Sequence, residues 1–308
     1  MAAKEPFLFL VDFELKKPRI WKRSEIDPNE ILFDFNGITN AHGGTSSQVD
    51  VTSFPMPVDE YKVKFDYVMD RLSYGDSFLT NLTLRTKIQT QLSLRQLFDI
   101  CKARYRFWMK DSFLFFSPEI FVRIKDGMIF SYPMKGTIDA TIPDAEAKIL
   151  SNLKEMAEHV TIVDLIRNDL SMIAEVVRVT KFRYVDKIKA HGKSLLQISS
   201  EITGKLLPLF ALDPGGALLS LLPAGSISGA PKLKTLDIIR NAENEDRGYY
   251  TGVCGYFDGQ TLDSGVMIRF IEHEGNNLYY RSGGGITTQS DLHSEYQEVL
   301  DKIYVPID

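Results

Sequence analysis

The order in which strand-like and helix-like segments follow one another is the feature that most constrains the fold of this chain. Alternating apolar residues indicate strands over residues 7–13 and 31–35, and several short strands over 112–132. A long helical stretch covers 145–170. The sequence lacks the regular strand–helix–strand alternation that is typical of parallel sheets. It therefore predicts an α+β fold with antiparallel sheets.

The remaining segments fit the same description. Clustered glycine, serine and threonine predict a loop at 42–47, and turns are predicted at 125–128 and 258–259. Helices are predicted over 59–72, which Gly75 ends, over 93–104, which Ser93 caps, and over 194–202, 231–242 and 291–303. Further strands are predicted over 78–88, 176–188, 249–257, 265–273 and 278–281.

Composition excludes several classes of protein. Hydrophobic residues make up 44% of the chain and charged residues 25%, which are ordinary values for a globular protein. The formal net charge of −5 at pH 7 opposes nucleic-acid binding, which requires a basic surface. The first apolar run, 7–11, is too short for a secretory signal, and no segment approaches the roughly 20 apolar residues of a membrane span. We expect a cytoplasmic protein that binds neither nucleic acid nor membranes.

Three motif-like features do not meet the requirements of their motifs. The segment 225–232, GSISGAPK, lacks the spacing of a phosphate-binding loop. The segment 252–256, GVCGY, lacks the last glycine of a nucleophile elbow, so we interpret Cys254 as a buried structural residue. The 2 cysteines and 5 histidines have no zinc-ligand spacing.

Two pairs of glutamates have the spacing expected for a metal site. Glu155 and Glu158 lie three residues apart on one predicted helix, and Glu295 and Glu298 lie three apart on another. Such pairs share a helix face, where their mutual repulsion falls if a cation binds between them. Carboxylates without Cys or His favour a hard cation such as Mg²⁺. The alternative is that both pairs are simply solvated helix faces.

Lys135 and a run of glycines are candidate binding elements. Lys135 lies in the segment YPMKGT, 132–137, where a lysine shielded from water could act as a nucleophile, although a surface-loop lysine is the alternative. The glycines at 283–285 expose backbone N–H groups that could bind a carboxylate, although a simple turn is the alternative.

Taken together and in order, these segments resemble the chorismate-binding enzyme family. The matching segments are 133–137 (PMKGT), 154–170 (KEMAEHVTIVDLIRNDL), 223–232 (PAGSISGAPK), 247–257 (RGYYTGVCGYF), 266–270 (VMIRF) and 282–302 (SGGGITTQSDLHSEYQEVLDK). The resemblance implies two facing, mainly antiparallel sheets with helices packed outside. It also implies a chorismate-binding catalytic domain over 61–308, with 1–60 as a short N-terminal segment that completes a single compact fold.

The resemblance assigns a role to each candidate residue. Mg²⁺ would hold the ring carboxylate of chorismate, with Glu158 and Glu298 as direct ligands and Glu155 and Glu295 supporting them through water. Arg269 would bind a substrate carboxylate through its guanidinium group. The full set expected to line the chorismate pocket is Gly136, Thr137, Tyr250, Arg269, Gly283, Gly284 and Gly285.

Lys135 distinguishes between branches of the family. Anthranilate synthases carry Ala at this position, whereas the Lys form resembles aminodeoxychorismate synthase component I, in p-aminobenzoate and folate synthesis. There the lysine attacks ring carbon 2 of chorismate and the carbon-4 hydroxyl leaves, after which ammonia attacks carbon 4. Glu119 matches the family's acid/base glutamate. The ammonia would come from a separate glutamine amidotransferase subunit. The alternatives are an anthranilate synthase component I and a catalytically silent chorismate-binding subunit.

Two positions depart from the patterns of relatives. Leu79 occupies the position where hydrating relatives carry a water-activating Lys, which favours amination over hydration. Gln197 occupies a position where many members carry a His that assists loss of the hydroxyl, and Gln cannot transfer a proton at neutral pH. The N-terminal region is also short, so we expect the tryptophan-binding regulatory pocket of larger relatives to be reduced.

Overall fold

The computed structural model describes residues 5–41, 49–190 and 193–307, so the predicted loop at 42–47 lies outside the described residues. Within this part of the chain the strands form two sheets of nine strands each, and every strand pair is antiparallel. The predicted α+β class with antiparallel sheets is therefore confirmed.

The strands, numbered in chain order, divide between the sheets as follows. The first sheet contains β1 (Phe7–Val11), β2 (Arg19–Lys22), β9 (Ile120–Lys125), β10 (Met128–Ser131), β11 (Met134–Asp139), β12 (Ala174–Ala190), β13 (Lys193–Leu206), β15 (Val253–Phe257) and β16 (Leu262–Val266). The second contains β3 (Ile31–Phe35), β4 (Ile38–Thr39), β5 (Val51–Phe54), β6 (Leu79–Thr90), β7 (Tyr105–Met109), β8 (Phe113–Ser117), β14 (Gly229–Ala230), β17 (Phe270–Glu274) and β18 (Asn277–Ile286). Residues 7–54 thus supply strands to both sheets, while the division at residue 60 stays a prediction.

The helices of the described residues lie between these strands in sequence. They are α1 (Val58–Tyr74), α2 (Leu94–Ile100), α3 (Ala145–Ser151), α4 (Leu153–Ser171), α5 (Pro208–Leu212), α6 (Pro214–Ser220), α7 (Gly225–Ser228), α8 (Lys232–Glu243) and α9 (Leu292–Asp301). Gly75 ends α1 in the left-handed conformation that glycine adopts most easily, and the Ser93 hydroxyl caps α2, as predicted. None of these helices is long and apolar enough to cross a membrane.

Strand β1 shows why the chain begins with an uninterrupted apolar run. Leu8 and Leu10 point into the core between the two sheets, where they join aromatic residues such as Phe33 of the second sheet. Phe9 and Val11 point to the opposite face, which helices α4, α6, α7 and α8 cover. Because both faces of the strand are buried, apolar residues do not alternate with polar residues along it.

Helices cover the outer face of the second sheet as well. The apolar stripe of α1, which includes Tyr61, Phe65 and Leu72, packs with Leu82 and Leu84 of β6. Helices α8 and α9 contribute to the same cluster. The helices therefore lie outside two facing sheets, which is the architecture expected from the sequence.

Three of the predicted helices differ in the structure, since the helix predicted over 93–104 already ends at Ile100. The helical stretch over 145–170 is divided into α3 and α4, because Asn152 has an extended backbone and caps α4 with its side chain. The helix predicted over 194–202 is wrong, because these residues belong to strand β13. Ile198, Ser200 and Ile202 are buried at every second position, and Ser199 between the first two is buried as well. The small polar Ser200 interrupts the apolar alternation that would have indicated a strand.

Candidate active site

A cavity of about 300 Å³ brings together residues that are far apart in the sequence. Strands β6, β11, β13 and β18 contribute to its wall, together with helices α4, α7 and α9. The predicted site residues that line it are Glu119, Lys135, Gly136, Thr137, Tyr250, Arg269, Gly283, Gly284, Gly285 and Glu298. This volume suits a small organic molecule, at the lower end of the range for ligand pockets.

The other three predicted carboxylates lie beside this cavity. Glu158 lines an adjoining cavity of about 180 Å³, which shares Leu79, Lys135 and Ile162 with the first. A Cβ atom on Gly136 would lie 3.1 Å from Oε2 of Glu155. A Cβ atom on Gly284 would lie 3.4 Å from both Oε2 of Glu295 and Oε1 of Glu298. The structure therefore places one pair of carboxylates beside β11 and the other beside β18.

Lys135 lies in strand β11 rather than in a surface loop. Its Nζ donates to Oε2 of Glu158 at 3.2 Å. The same Nζ lies 4.0 Å from the position of a Cβ on Gly285, on the neighbouring wall formed by β18. Its side chain is 30% exposed. A primary amine therefore faces the cavity from one wall and contacts the predicted metal ligand of helix α4.

Glu119 lies between β8 and β9 and lines the cavity. The hydroxyl of Ser226 donates to its Oε1 at 2.9 Å. Burial raises the pKa of Glu119 above its ordinary value, although the hydrogen bond from Ser226 and the positive charges of Lys135 and Arg269 oppose the rise. A carboxyl group with a raised pKa keeps its proton to higher pH, which suits a general acid.

Two cations give the cavity an anion-binding wall. Arg269 has a left-handed backbone (φ 54°), its guanidinium carbon lies 5.0 Å from the centre of the Tyr304 ring, and its Nε has no hydrogen-bond partner among the described residues. The Nζ of Lys302 donates to the carbonyl of Gly283 and to Oε1 of Glu298, both at 2.6 Å. Guanidinium and ammonium groups facing a cavity favour carboxylate or phosphate ligands.

The glycine run belongs to a strand, not to a turn. Gly283, Gly284 and Gly285 pair with residues 81–83 of β6. At Gly283 a Cβ would lie 2.5 Å from the carbonyl oxygen of Leu82, so the close approach of β6 requires glycine there. The adjacent β18 backbone forms part of the cavity wall.

Tyr250 and Thr137 occupy different depths of the site. Tyr250 is buried, and burial raises its pKa to about 12, so its hydroxyl stays protonated and can donate a hydrogen bond. Thr137, by contrast, is exposed. It lies opposite Gln197 in the pairing of β11 with β13, and both residues line the cavity.

His159 connects helix α4 to strand β13 directly beside Glu158. Its Nε2 lies 2.7 Å from the hydroxyl oxygen of Ser200, which also accepts the backbone N–H of Arg183 at 2.9 Å. Burial, together with the positive charges of Arg183 and Lys135, lowers the pKa of His159 to about 4. A neutral imidazole at this point anchors the helix that carries two of the predicted metal ligands.

Sequence reasoning missed three residues that shape the site. Ser226 and Lys302 lie within segments that resemble the family, but no local pattern indicates that Ser226 reaches Glu119, 107 residues away. Arg247 is fully buried and forms an ion pair with Glu243 at 2.6 Å, four residues earlier. This four-residue spacing was the available signal for the Arg247 pair. The four-residue spacing of Glu298 and Lys302 was likewise available.

The three motif-like features excluded above are structural. Cys254 is buried in β15, and burial raises the pKa of its thiol. In the segment 225–232, helix α7 ends at Ser228 and Pro231 precedes α8. Ser226 of this segment lines the cavity, where its hydroxyl bonds Glu119. Among the described residues no three His, Cys, Asp or Glu side chains come together as a metal-binding group.

The carboxylate pairs nevertheless offer donors that fit a hard cation. All four are glutamates on helices α4 and α9. The Cβ clearances at Gly136 and Gly284 place Glu155, Glu295 and Glu298 against the strands that line the cavity, and Glu158 contacts Lys135 of β11. Oxygen ligands of this type suit Mg²⁺. Glu158 and Glu298 each contact a lysine, so coordination through the oxygens involved requires those lysines to move.

Comparison with known proteins decides the family. Residues 20–308 match the family described as chorismate binding enzyme. The chain belongs to this family. Over 306 residues it is 50% identical to an uncharacterized PabA-like protein of Haemophilus influenzae, covering 99% of this chain and 93% of that protein.

Two characterised kinds of relative are longer than this chain. Aminodeoxychorismate synthase component 1 of Klebsiella aerogenes is 33% identical over 265 residues, which cover 80% of this chain and 57% of that protein. Anthranilate synthase component 1 of Cereibacter sphaeroides is 37% identical over 194 residues, which cover 60% of this chain and 38% of that protein. The comparisons thus show a chorismate binding enzyme related to both kinds of synthase.

A solved structure has the same fold. The menaquinone-specific isochorismate synthase of Escherichia coli superposes with a TM-score of 0.74 at 17% identity, covering 97% of this chain and 77% of that one. At such low identity the likeness concerns the fold alone. It confirms the fold that the sequence resemblance implied.

The two departures from family patterns both lie at the cavity of this chorismate binding enzyme. Leu79 is buried, and its Cδ1 lies 3.0 Å from the position of a Cβ on Gly285, beside Lys135. Gln197 lines the same cavity from β13. Neither side chain can take up a proton at neutral pH. Of Leu79, Gln197 and Lys135, only Lys135 has an ionisable side chain.

Proposed function

We propose that this chorismate binding enzyme aminates chorismate to 4-amino-4-deoxychorismate, in the p-aminobenzoate branch of folate synthesis. The observation that carries the proposal is that Lys135 and Glu119 line one cavity together with Arg269 and Tyr250. A nucleophile, an acid and anion-binding groups are thus available to one small molecule. The similarity to aminodeoxychorismate synthase component 1 supports the same reaction.

The proposed reaction divides into two displacements. In the first, the neutral amine of Lys135 forms a bond to ring carbon 2, both conjugated ring double bonds shift by one position, and the bond from carbon 4 to its hydroxyl breaks. Glu119 gives its proton to the departing hydroxyl, which leaves as water. In the second, ammonia bonds to carbon 4, both ring double bonds shift back, and the bond between Lys135 and carbon 2 breaks. A proton from the new ammonium group restores Glu119.

Binding of the substrate's two carboxylates is assigned to the cations and the strand backbone. Arg269 offers a guanidinium group whose Nε has no protein partner among the described residues. The backbone of 283–285 forms part of the same wall, and Gly136 and Thr137 line the cavity near Lys135. The protonated hydroxyl of Tyr250 can donate to the same ligand.

Glu158 and Glu298 are proposed to hold Mg²⁺ directly, with Glu155 and Glu295 supporting them. When bound, Mg²⁺ supplies the positive charge that neutralises and orients the ring carboxylate. Without a cation, the net charge of −5 and four local glutamates would oppose binding of a dicarboxylate.

Ammonia is proposed to come from a separate glutamine amidotransferase subunit. Glutamine hydrolysis by such enzymes uses a reactive cysteine thiolate, but both Cys101 and Cys254 are buried here. Burial raises the pKa of Cys101 to about 12 and also raises that of Cys254, which disfavours the thiolate. Ammonium salts should therefore support the reaction of the purified chain, whereas glutamine alone should not.

Anthranilate synthase is the second candidate, favoured by the 37% identity to the Cereibacter sphaeroides protein. One assay separates it from the main proposal. The chain is incubated with chorismate, Mg²⁺ and an ammonium salt, and products are identified by mass and fluorescence. We expect 4-amino-4-deoxychorismate. Anthranilate would overturn the proposal, and chorismate binding without turnover would indicate a silent subunit.

Replacing Glu119 by glutamine should lower kcat by about 10²-fold, because the departing hydroxyl loses its acid. The same replacement should not lower the folding stability at high pH. The pKa of Glu119 is higher in the folded chain than in the unfolded chain. The stabilisation that this difference provides is fully present at a pH below the ordinary pKa of Glu. It is lost as the pH rises through the raised pKa of the folded chain. Gln cannot ionise, so the Glu119→Gln Tm at pH 8 should equal or exceed that of the wild type.

Glu201→Gln is the matched control, because Glu201 lies on β13 outside the cavity and bonds Thr180 and Lys181. Its kcat should stay within about twofold of the wild type, as is usual for residues that make no contact with the site. Initial rates and thermal unfolding at pH 6 and pH 8 test both effects. An undiminished rate in Glu119→Gln would remove Glu119 from the mechanism.

A further inference from the structure

Both glutamates proposed as direct metal ligands are held by lysines. Lys135 Nζ donates to Oε2 of Glu158 at 3.2 Å, and Lys302 Nζ donates to Oε1 of Glu298 at 2.6 Å. The two pairs belong to different parts of the fold, since one joins β11 to α4 and the other lies at the end of α9. Both lysines line the same cavity.

An ammonium group and a divalent cation compete for a carboxylate. An oxygen that accepts a hydrogen bond from Nζ has less negative potential to offer a metal. In addition, two cations within a few ångströms of each other repel, and the repulsion is stronger in a partly dehydrated cavity than in water. A metal bound by Glu158 and Glu298 would therefore displace the two ammonium groups from these oxygens.

Each lysine has another position available once its bond to the glutamate is broken. Lys302 already donates to the carbonyl of Gly283 at 2.6 Å, so it can keep a protein partner without Glu298. Lys135 lines both the main cavity and the adjoining cavity, so its Nζ can leave Glu158 and still face a cavity. In both cases the released ammonium group stays within the cavity wall.

We propose that Lys135 and Lys302 are exchangeable counter-cations, which neutralise Glu158 and Glu298 until a divalent metal replaces them. Metal binding then frees Lys135 for the substrate and leaves Lys302 as an anion-binding group. The inference rests on the proposed function for the identity of the metal ligands. It predicts that removing a lysine strengthens metal binding, whereas removing a supporting residue normally weakens it.

Calorimetric titration of the whole chain with MgCl₂, without chorismate, tests this exchange. The Lys302→Met variant should bind Mg²⁺ roughly 3- to 10-fold more tightly than the wild type, as expected for removal of one partly exposed ion pair. Lys232→Met is the matched control, since Lys232 forms an ion pair with Asp169, another residue of the cavity wall, at 3.1 Å. It removes the same charge and should change the affinity by less than about twofold.

A second measurement uses the wild type and does not depend on the folding of a variant. Brief acetylation with acetic anhydride, quantified by peptide mass spectrometry, reports how available each lysine amine is. Mg²⁺ should raise the labelling of Lys135 and Lys302 several-fold while leaving Lys232 unchanged.

Unchanged affinity in Lys302→Met, or no Mg²⁺-dependent rise in labelling of the two lysines, would overturn the exchange. Neither measurement uses chorismate, so the exchange can fail while amination is observed. It can equally hold in a protein that makes anthranilate.

Discussion

A Lys135→Ala variant should form 4-amino-4-deoxychorismate at least about 10³-fold more slowly than the wild type, because the first displacement loses its nucleophile. Gln197 and Leu79 line the same cavity but cannot replace a primary amine. Initial rates with saturating ammonium salt, with the product identified by mass, measure the loss.

Lys135→Arg separates the nucleophile from the positive charge. Arginine can keep the ion pair with Glu158 but does not lose its proton at accessible pH, so this variant should be as slow as Lys135→Ala. Intact-protein mass spectrometry of the wild type, quenched during turnover without ammonia, should detect a covalent adduct on Lys135. Undiminished amination by either variant would show that Lys135 is not the nucleophile.

An Arg247→Met variant should lose about 3–5 kcal/mol of unfolding free energy, because it leaves the Glu243 carboxylate buried without its partner. Both side chains of this pair are 1% exposed. Arg247 also donates to the backbone carbonyls of Ile227 and Asn81, and Glu243 accepts the backbone N–H of Thr83. The pair therefore ties α8 to α7 and β6, both of which form the cavity wall.

Arg240→Met, on the helix α8 that carries Glu243, is the control for this effect. Arg240 and Asp237 form an ion pair whose side chains are 67% and 64% exposed, so its removal should change stability by less than about 1 kcal/mol. Urea unfolding of both variants gives the comparison. The double variant Glu243→Leu/Arg247→Met should recover part of the loss, since no charge then stays buried alone. Equal losses in Arg247→Met and Arg240→Met would contradict this view of the pair.

Much of the candidate site could be predicted from the sequence, because its chemistry depends on residue types at short spacings. The i, i+3 glutamate pairs identified two helix faces before any contact was known. The segment around Lys135 and the glycines at 283–285 were identified from local composition. Their assignment to one pocket came from resemblance to a family, and the structure brings Lys135, Glu119, Arg269 and the glycines to one cavity.

Local reasoning failed where a long-range contact decides the conformation. Residues 194–202 carry enough apolar residues for a helix, yet they form a strand because β10, β11 and β12 all pair with β13. Hydrogen bonds to three neighbouring strands outweigh the small differences in intrinsic propensity. The division between α3 and α4 was missed because it depends on a single residue, Asn152, whose side chain caps α4. One residue does not change the helical periodicity of the residues around it.

The sequence by itself determined the fold class, the apolar faces and the kinds of groups available for catalysis, because these follow from periodicity and side-chain chemistry within short segments. Only the tertiary structure decided which of those groups meet. Ser226 reaches Glu119 across 107 residues, and Lys135 reaches Glu158 across 23. Contacts of this kind depend on how sheets and helices pack, which no local pattern encodes. The occupation of both proposed metal ligands by lysines is therefore a property of the folded chain.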